Sequence, residues 1–276
     1  MQQQDRASRN TRLGSLRSNA LRTVMLILNV GPRKSMNETD DRYPKSTRDL
    51  WAALKNEVTW IHGRWIMYRQ LYGTSPERID ILNCTASTFF VILGEVLLRD
   101  VQLSLSKLAD QPKTSGRRNM TLSALAEHLS SCGETIAAEN VKSFITSYET
   151  ACEQLRQRRH KTIAHNDLPT ALAARVSPVK GPSREEIEKA LAALRDAMNC
   201  IELHYAHAQT RYELFSMVDD GEALLQSLRR GVRYRELVRE GVIASGDLRQ
   251  RFRQKAQQGA APLPSAPRTG PSEGAR

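Results

Sequence analysis

Residues 47–73 read TRDLWAALKNEVTWIHGRWIMYRQLYG, and this stretch decides the fold class. Its apolar positions Trp51, Leu54, Val58, Ile61, Trp65 and Tyr68 recur at spacings of 3-4-3-4-3, the stripe of one amphipathic helix. Ser46 or Thr47 supplies an N-cap, and Gly73 a favoured residue just past the C-terminus. Downstream, Ser75-Pro76-Glu77 restarts the chain as cap, first-turn proline and acidic residue. The spacing predicts a second helix over 76–109. Because it is apolar almost all round between Thr88 and Leu98, it is expected in the middle of a bundle.

The pattern continues outward. Residues 112–119 form a polar, basic loop, 121–131 a short helix, and 138–163 a long fourth helix with Val141, Phe144, Ile145, Tyr148, Cys152 and Leu155 facing inward. Ser183 with Glu186 makes a capping box. From there Ile187, Leu191, Leu194, Met198, Ile201, Tyr205, Ala208, Tyr212 and Phe215 keep heptad spacing, and a short basic helix is expected over about 220–240. No run of period-2 strands stands out, so the expectation is an all-α antiparallel bundle. Its divisions are a basic N-terminal extension (1–45, disordered or a short helix), the bundle (46–216), a basic helical extension (217–255) and a disordered tail (256–276). Met36 is a plausible alternative start.

Composition sets outer limits. The chain has 276 residues, 40% hydrophobic and 26% charged, with net charge +11. The charge belongs to the ends. Residues 1–46 hold 9 Lys/Arg against 4 Asp/Glu and residues 229–276 hold 11 against 4, while 47–228 are close to neutral. Such ends attract a polyanion, or simply keep the protein soluble. Cys84, Cys132, Cys152 and Cys200 are scattered without a CxxC pair and read as small buried hydrophobes in a reducing, cytoplasmic protein. The strongest apolar run, Phe89 to Leu98, is about half the ~20 residues a bilayer needs, so no membrane association is expected. No phosphate-cradling glycine loop, dinucleotide fingerprint, HExxH or nucleophile elbow is present.

The segment that carries chemistry is Arg156-Gln157-Arg158-Arg159-His160-Lys161-Thr162-Ile163-Ala164-His165-Asn166-Asp167. Arg159 falls where the inward stripe of the fourth helix arrives next, an expensive place for a guanidinium unless an anion or a cleft receives it. His165, six residues on, sits near the helix end. Imidazole exchanges protons near neutral pH and guanidinium grips phosphate bidentately, a pair suited to cleaving RNA through its 2′-hydroxyl without a metal. The structural alternative has Arg159 paired with a bundle carboxylate, and His165 and Asp167 capping the helix end.

The Arg-x5-His pattern in this segment resembles the RNK-x-x-AH-x-D signature of the HEPN superfamily, especially its AbiU-like branch of phage abortive-infection proteins. Leu50-Trp51, Trp65, Tyr68, Leu71-Tyr72-Gly73, Phe89-Phe90, Leu97-Leu98-Arg99-Asp100 and Leu105-Ser106-Lys107-Leu108-Ala109-Asp110 support the likeness, which spans about residues 46–215. The resemblance implies a helical bundle that often dimerises, with Arg159 and His165 of both protomers in one cleft of a metal- and cofactor-independent endoribonuclease. Arg159 would bind phosphate and His165 act as general base or acid. His160, Lys161, Asn166, Asp167 and Asp100 would support them, and Arg156 and Arg158 would hold RNA. One departure is that His160 stands where the signature has Asn. Many HEPN proteins are thought not to be catalytic, so a non-catalytic bundle binding RNA, a nucleotide or a partner protein stands as the alternative. An antitoxin or a nucleotidyltransferase is a candidate partner.

Weaker candidate sites stand beside it. Cys200, His204 and His207 share a helix face as a conceivable metal set, read here as packing residues. Asp100 either orients an active-site cation or forms a structural salt bridge. Trp51 and Trp65 are expected in the core, with Trp60 off the stripe.

Overall fold

A computed structural model describes residues 41–160 and 181–243. Among these the chain forms six α-helices, α1 (Arg48–Tyr72), α2 (Pro76–Leu108), α3 (Leu122–Ser131), α4 (Thr135–Arg158), α5 (Arg184–Ala206) and α6 (Gly221–Arg239). A two-residue antiparallel pair, β1 (Lys113–Thr114) with β2 (Arg117–Arg118), is the only strand pairing among the described residues. The fold is all-α. The extension before residue 41 and the tail after 243 lie outside the described residues.

The chain divides into two compact units, and α1, α2, α4 and α5 each contribute a segment to both. In the first unit the buried core is supplied by Trp51, Leu54 and Val58 of α1, Leu122, Leu125 and Leu129 of α3, Val141, Ile145 and Tyr148 of α4, and Leu194, Met198 and Ile201 of α5. Tyr43 stacks on Trp51 at 5.2 Å, so the buried structure begins before residue 46. Thr121 caps α3, its hydroxyl accepting from the Ala124 amide at 3.1 Å. Gly133, at φ +86°, ends that helix in the left-handed conformation, and α4 starts at Thr135, three residues earlier than expected. The 112–119 loop closes as a hairpin because Ser115 and Gly116 both take positive φ.

In the second unit the core is built from Ile61, Trp65 and Leu71 of α1, Leu82, Phe90, Val101 and Leu105 of α2, Cys152 and Leu155 of α4, Ile187 and Leu191 of α5, and Leu225 of α6. The Trp65 indole donates to Glu188 at 2.8 Å. Arg184 donates to the Tyr72 and Gly73 carbonyls at 2.8 and 3.0 Å, closing the C-terminus of α1. The Gly221 amide donates to Gln70 Oε1 at 3.0 Å, an approach so close that a Cβ there would meet the Gln70 side chain at 2.9 Å. The Ser183–Glu186 capping box forms reciprocally, at 2.7 and 3.1 Å.

Four expectations need correction. Helix α5 stops at Ala206, where His207 turns to φ +50°, and Asn199 then holds the following chain by accepting from the Thr210 amide at 2.9 Å. The heptad run therefore spans a helix, a turn and a 3₁₀ segment (Tyr212–Leu214). Phe144 is 38% exposed instead of inward. Cys84 and Cys132 are exposed, and only Cys152 is fully buried. Most consequentially, α2 does not run through the middle of a bundle: Phe90 is buried, but Phe89, Val91, Ile92 and Val96 face outward. Periodicity records where apolar side chains fall, and a helix packed on one face while bare on another carries the same all-round signal as a central one. Over its 33 residues α2 is also long and apolar enough to cross a membrane, with mean hydropathy 1.8 across 18 residues, the one such helix among those described. A kink at Ala86 (φ −155°, ψ 69°) breaks α2 just after Thr85, whose hydroxyl donates back to the Ile81 carbonyl at 2.7 Å.

Candidate functional site

The site is built on the C-terminal end of α4, in the second unit. The stripe that places Cys152 and Leu155 in the core brings Arg159 to the next inward position, and Arg159 is 9% exposed. At Arg159 and His160 the helix widens into a π-type turn. Its neighbourhood supplies a cause. Gln102, a buried side chain of α2, donates from Nε2 to the Leu155 carbonyl at 3.2 Å. In a regular α-helix that carbonyl would accept from the amide of Arg159, four residues on, so a side-chain donor at this oxygen loosens the last turn.

The Arg159 guanidinium lies with Nη2 3.4 Å from Nε2 of His160. Guanidinium has donors only, so in this contact the imidazole nitrogen is the acceptor. His160 is exposed. This position, where the HEPN signature has Asn, thus carries a titratable acceptor beside the buried cation.

Arg158 makes a forked pair with the Glu186 carboxylate at 2.8 and 3.2 Å. Hydrogen bonding from Arg158 is the main reason the Glu186 carboxyl titrates below the usual carboxylate range, and the Ser183 amide adds to it. Arg156 reaches Glu153 at 3.9 Å. Asp100 sits 2.7 Å from Nε of Arg64, whose Nη2 donates to Ser104 at 3.2 Å, so Asp100 takes part in a salt bridge joining α1 to α2. Lys161, His165, Asn166 and Asp167 lie outside the described residues.

Sequence reasoning missed Gln102 and Glu186 as shapers of this end of α4. Glu186 was legible only as a capping residue. A lone glutamine in an apolar helix matches no motif, though its burial signals a satisfied polar role.

The weaker candidates resolve plainly. His207 lies in the turn beyond α5 while Cys200 and His204 lie on the helix, and among the described residues no three His, Cys, Asp or Glu side chains are grouped to hold a metal ion. Burial holds the Cys200 thiol above its ordinary pKa. Trp51 and Trp65 are core residues, and Trp60 packs edge-on against Phe215 at 5.9 Å.

The family model HEPN_AbiU2, described as AbiU2, matches residues 45–224. This chain belongs to that HEPN family. The match takes in all of α1 to α5, and with them the Arg159 end of α4. No curated protein and no solved structure matches the HEPN_AbiU2 chain.

Proposed function

We propose that this HEPN protein is a cytoplasmic, metal-independent endoribonuclease of phage defence or of a toxin–antitoxin-like system, using Arg159 and His165 from each protomer of a dimer. The observation that carries the reading is the Arg159 guanidinium, brought to a buried position at the end of α4 in a chain of HEPN membership. A cation held there suits a phosphate oxygen, and its charge would stabilise the pentacovalent phosphorane as it develops. His165 would take the 2′-hydroxyl proton or protonate the leaving 5′-oxygen. Arg156 and Arg158, on the same end of α4, would meet further phosphates of the RNA. An antitoxin or nucleotidyltransferase partner would fit a regulated nuclease of this kind.

The test is RNA cleavage in EDTA by the full chain beside Arg159→Ala and His165→Ala. Wild type is expected to leave 2′,3′-cyclic phosphate ends, and each variant to lose at least a hundredfold in rate with helical circular dichroism unchanged. Cleavage at equal rates in all three proteins, or none in wild type, rejects the assignment. RNA binding without turnover would favour the non-catalytic alternative.

A further inference from the structure

Helix α2 turns one face inward and leaves another bare. Phe90 joins Leu71, Leu82 and Leu225 in a buried cluster, while Phe89, Val91, Ile92 and Val96 are 60%, 58%, 57% and 55% exposed. Single exposed apolar side chains are ordinary, but Phe89, Ile92 and Val96 fall on one side of α2, and at roughly 100 Å² each they make a patch of roughly 300 Å², a size that on soluble proteins often marks an interaction site, while Val91 lies further round the helix.

Three features say what covers it. Phe89, Ile92, Val96 and Arg99 follow at spacings of 3-4-3, the seam along which two helices pack side by side. The face carries no net charge, because Glu95 and Arg99 sit together on it, 3.5 Å apart. In a chain of net charge +11 it is therefore a surface where two copies meet without repulsion. A standard interface takes about 800 Å² from each partner, a little over half of it apolar, and the roughly 300 Å² of this seam supplies the larger share of that apolar area.

We infer that the Phe89–Val96 face of α2 is the surface on which a second copy of this chain docks, α2 against α2. A bilayer is the rival occupant, but α2 is held from its other sides: the Tyr72 phenol donates to the Phe90 carbonyl at 2.7 Å and Arg235 donates to the Cys84 carbonyl at 2.9 Å. Entering lipid would strip both. This inference names the pairing surface for the shared cleft proposed above, and rests on that reading only for the direction in which the two helices run. Gln102 ties the C-terminal half of α2 to α4 beside Arg159. Parallel α2 helices thus bring both Arg159 ends to the same side, whereas antiparallel helices crossing at Ile92 set the two Gln102 residues about 30 Å apart.

Sedimentation velocity on the full chain reads the pairing directly. Wild type is expected at twice the 31.1 kDa chain mass. Ile92→Glu is expected to dissociate at least a hundredfold more readily with its helical circular dichroism intact, since Ile92 is exposed in the single chain. In a background carrying both Cys84→Ser and Cys132→Ser, which removes the exposed thiols, oxidised Ile92→Cys should form a disulfide dimer, and Val218→Cys, on an exposed position elsewhere, should not. A wild type that stays monomeric, an Ile92→Glu that stays dimeric, or a monomer that floats with phosphatidylglycerol vesicles and loses this with Ile92→Glu overturns the inference. Phe89→Cys and Val96→Cys decide the direction: both cross-link if the helices are parallel. Cross-linking at Ile92 alone keeps the pairing surface and removes the shared cleft. A dimer that cleaves no RNA likewise upholds the surface while rejecting the nuclease.

Discussion

Arg158 and Arg159 are adjacent in the chain and differ in what surrounds them, which fixes what each can do. Arg158 projects toward α5, where Glu186 receives both ends of its fork. Arg159 turns inward at a widened helical turn, next to a histidine acceptor. The first pair sets a pH dependence of stability. The folded chain lowers the Glu186 pKa beneath its ordinary 4.5, so the unfolded chain binds its proton more tightly. The stabilisation is then complete above about pH 5 and disappears as pH falls through the folded value. Glu186→Gln keeps the shape and removes the charge. Its melting temperature should lie below wild type by the equivalent of about 0.5–1 kcal/mol between pH 5 and 7, with the gap closing toward pH 3. Thermal melts across that range check it, and a gap that widens on acidification contradicts the pairing. Arg159 itself was legible in advance, because an inward stripe of period 3.6 has to arrive somewhere and a cation stood at its next position. Gln102 was not, because what matters about it is the carbonyl it meets 53 residues away.

At the scale of the element, helix ends were easier to read than helix faces. Ends are local: Ser183 and Glu186 satisfy each other's backbone amides within four residues, and Thr121 and Gly133 bracket α3 by equally short rules. Ser183→Ala should therefore destabilise the fold by about 1 kcal/mol, and Ser183→Gly by only a few tenths, since glycine leaves the cap amides open to water. Urea unfolding of the three proteins, with m unchanged, measures the difference. Equal losses for Ala and Gly would mean that the Ser183 hydroxyl does more than cap α5. Faces depend on what packs against them, and the two misread ones, Phe144 and the Phe89–Val96 stripe, are where no neighbour within the described chain supplies a covering surface. The end of α5 was misread for a related reason: heptad spacing continued through Tyr212 by coincidence of spacing, although the chain had already turned at His207.

For the whole molecule, the charge distribution and the helical bundle play separable parts. The all-α architecture follows from stripes that need no knowledge of partners, while the basicity is concentrated outside them. Residues 244–276 contain Arg249, Arg251, Arg253, Lys255, Arg268 and Arg276 against Asp247 and Glu273, a surplus of four positive charges beyond α6. If RNA is the substrate, these charges act through counterion release and contribute affinity without contributing sequence preference. A chain ending at Ile243 should then bind a single-stranded RNA more weakly at 50 mM salt, and the slope of log affinity against log salt should become shallower by as much as about 4, at about 0.7 per neutralised phosphate for up to six cations. The single-turnover cleavage rate at saturating protein should stay within about twofold of wild type, because Arg159 and the α4 end are untouched. Fluorescence anisotropy across a salt series, paired with quenched-flow cleavage, separates the two effects. An unchanged slope would place the RNA contacts on the bundle itself. A lost cleavage rate at saturation would assign the basic tail a part in the chemistry that a purely electrostatic tether does not have.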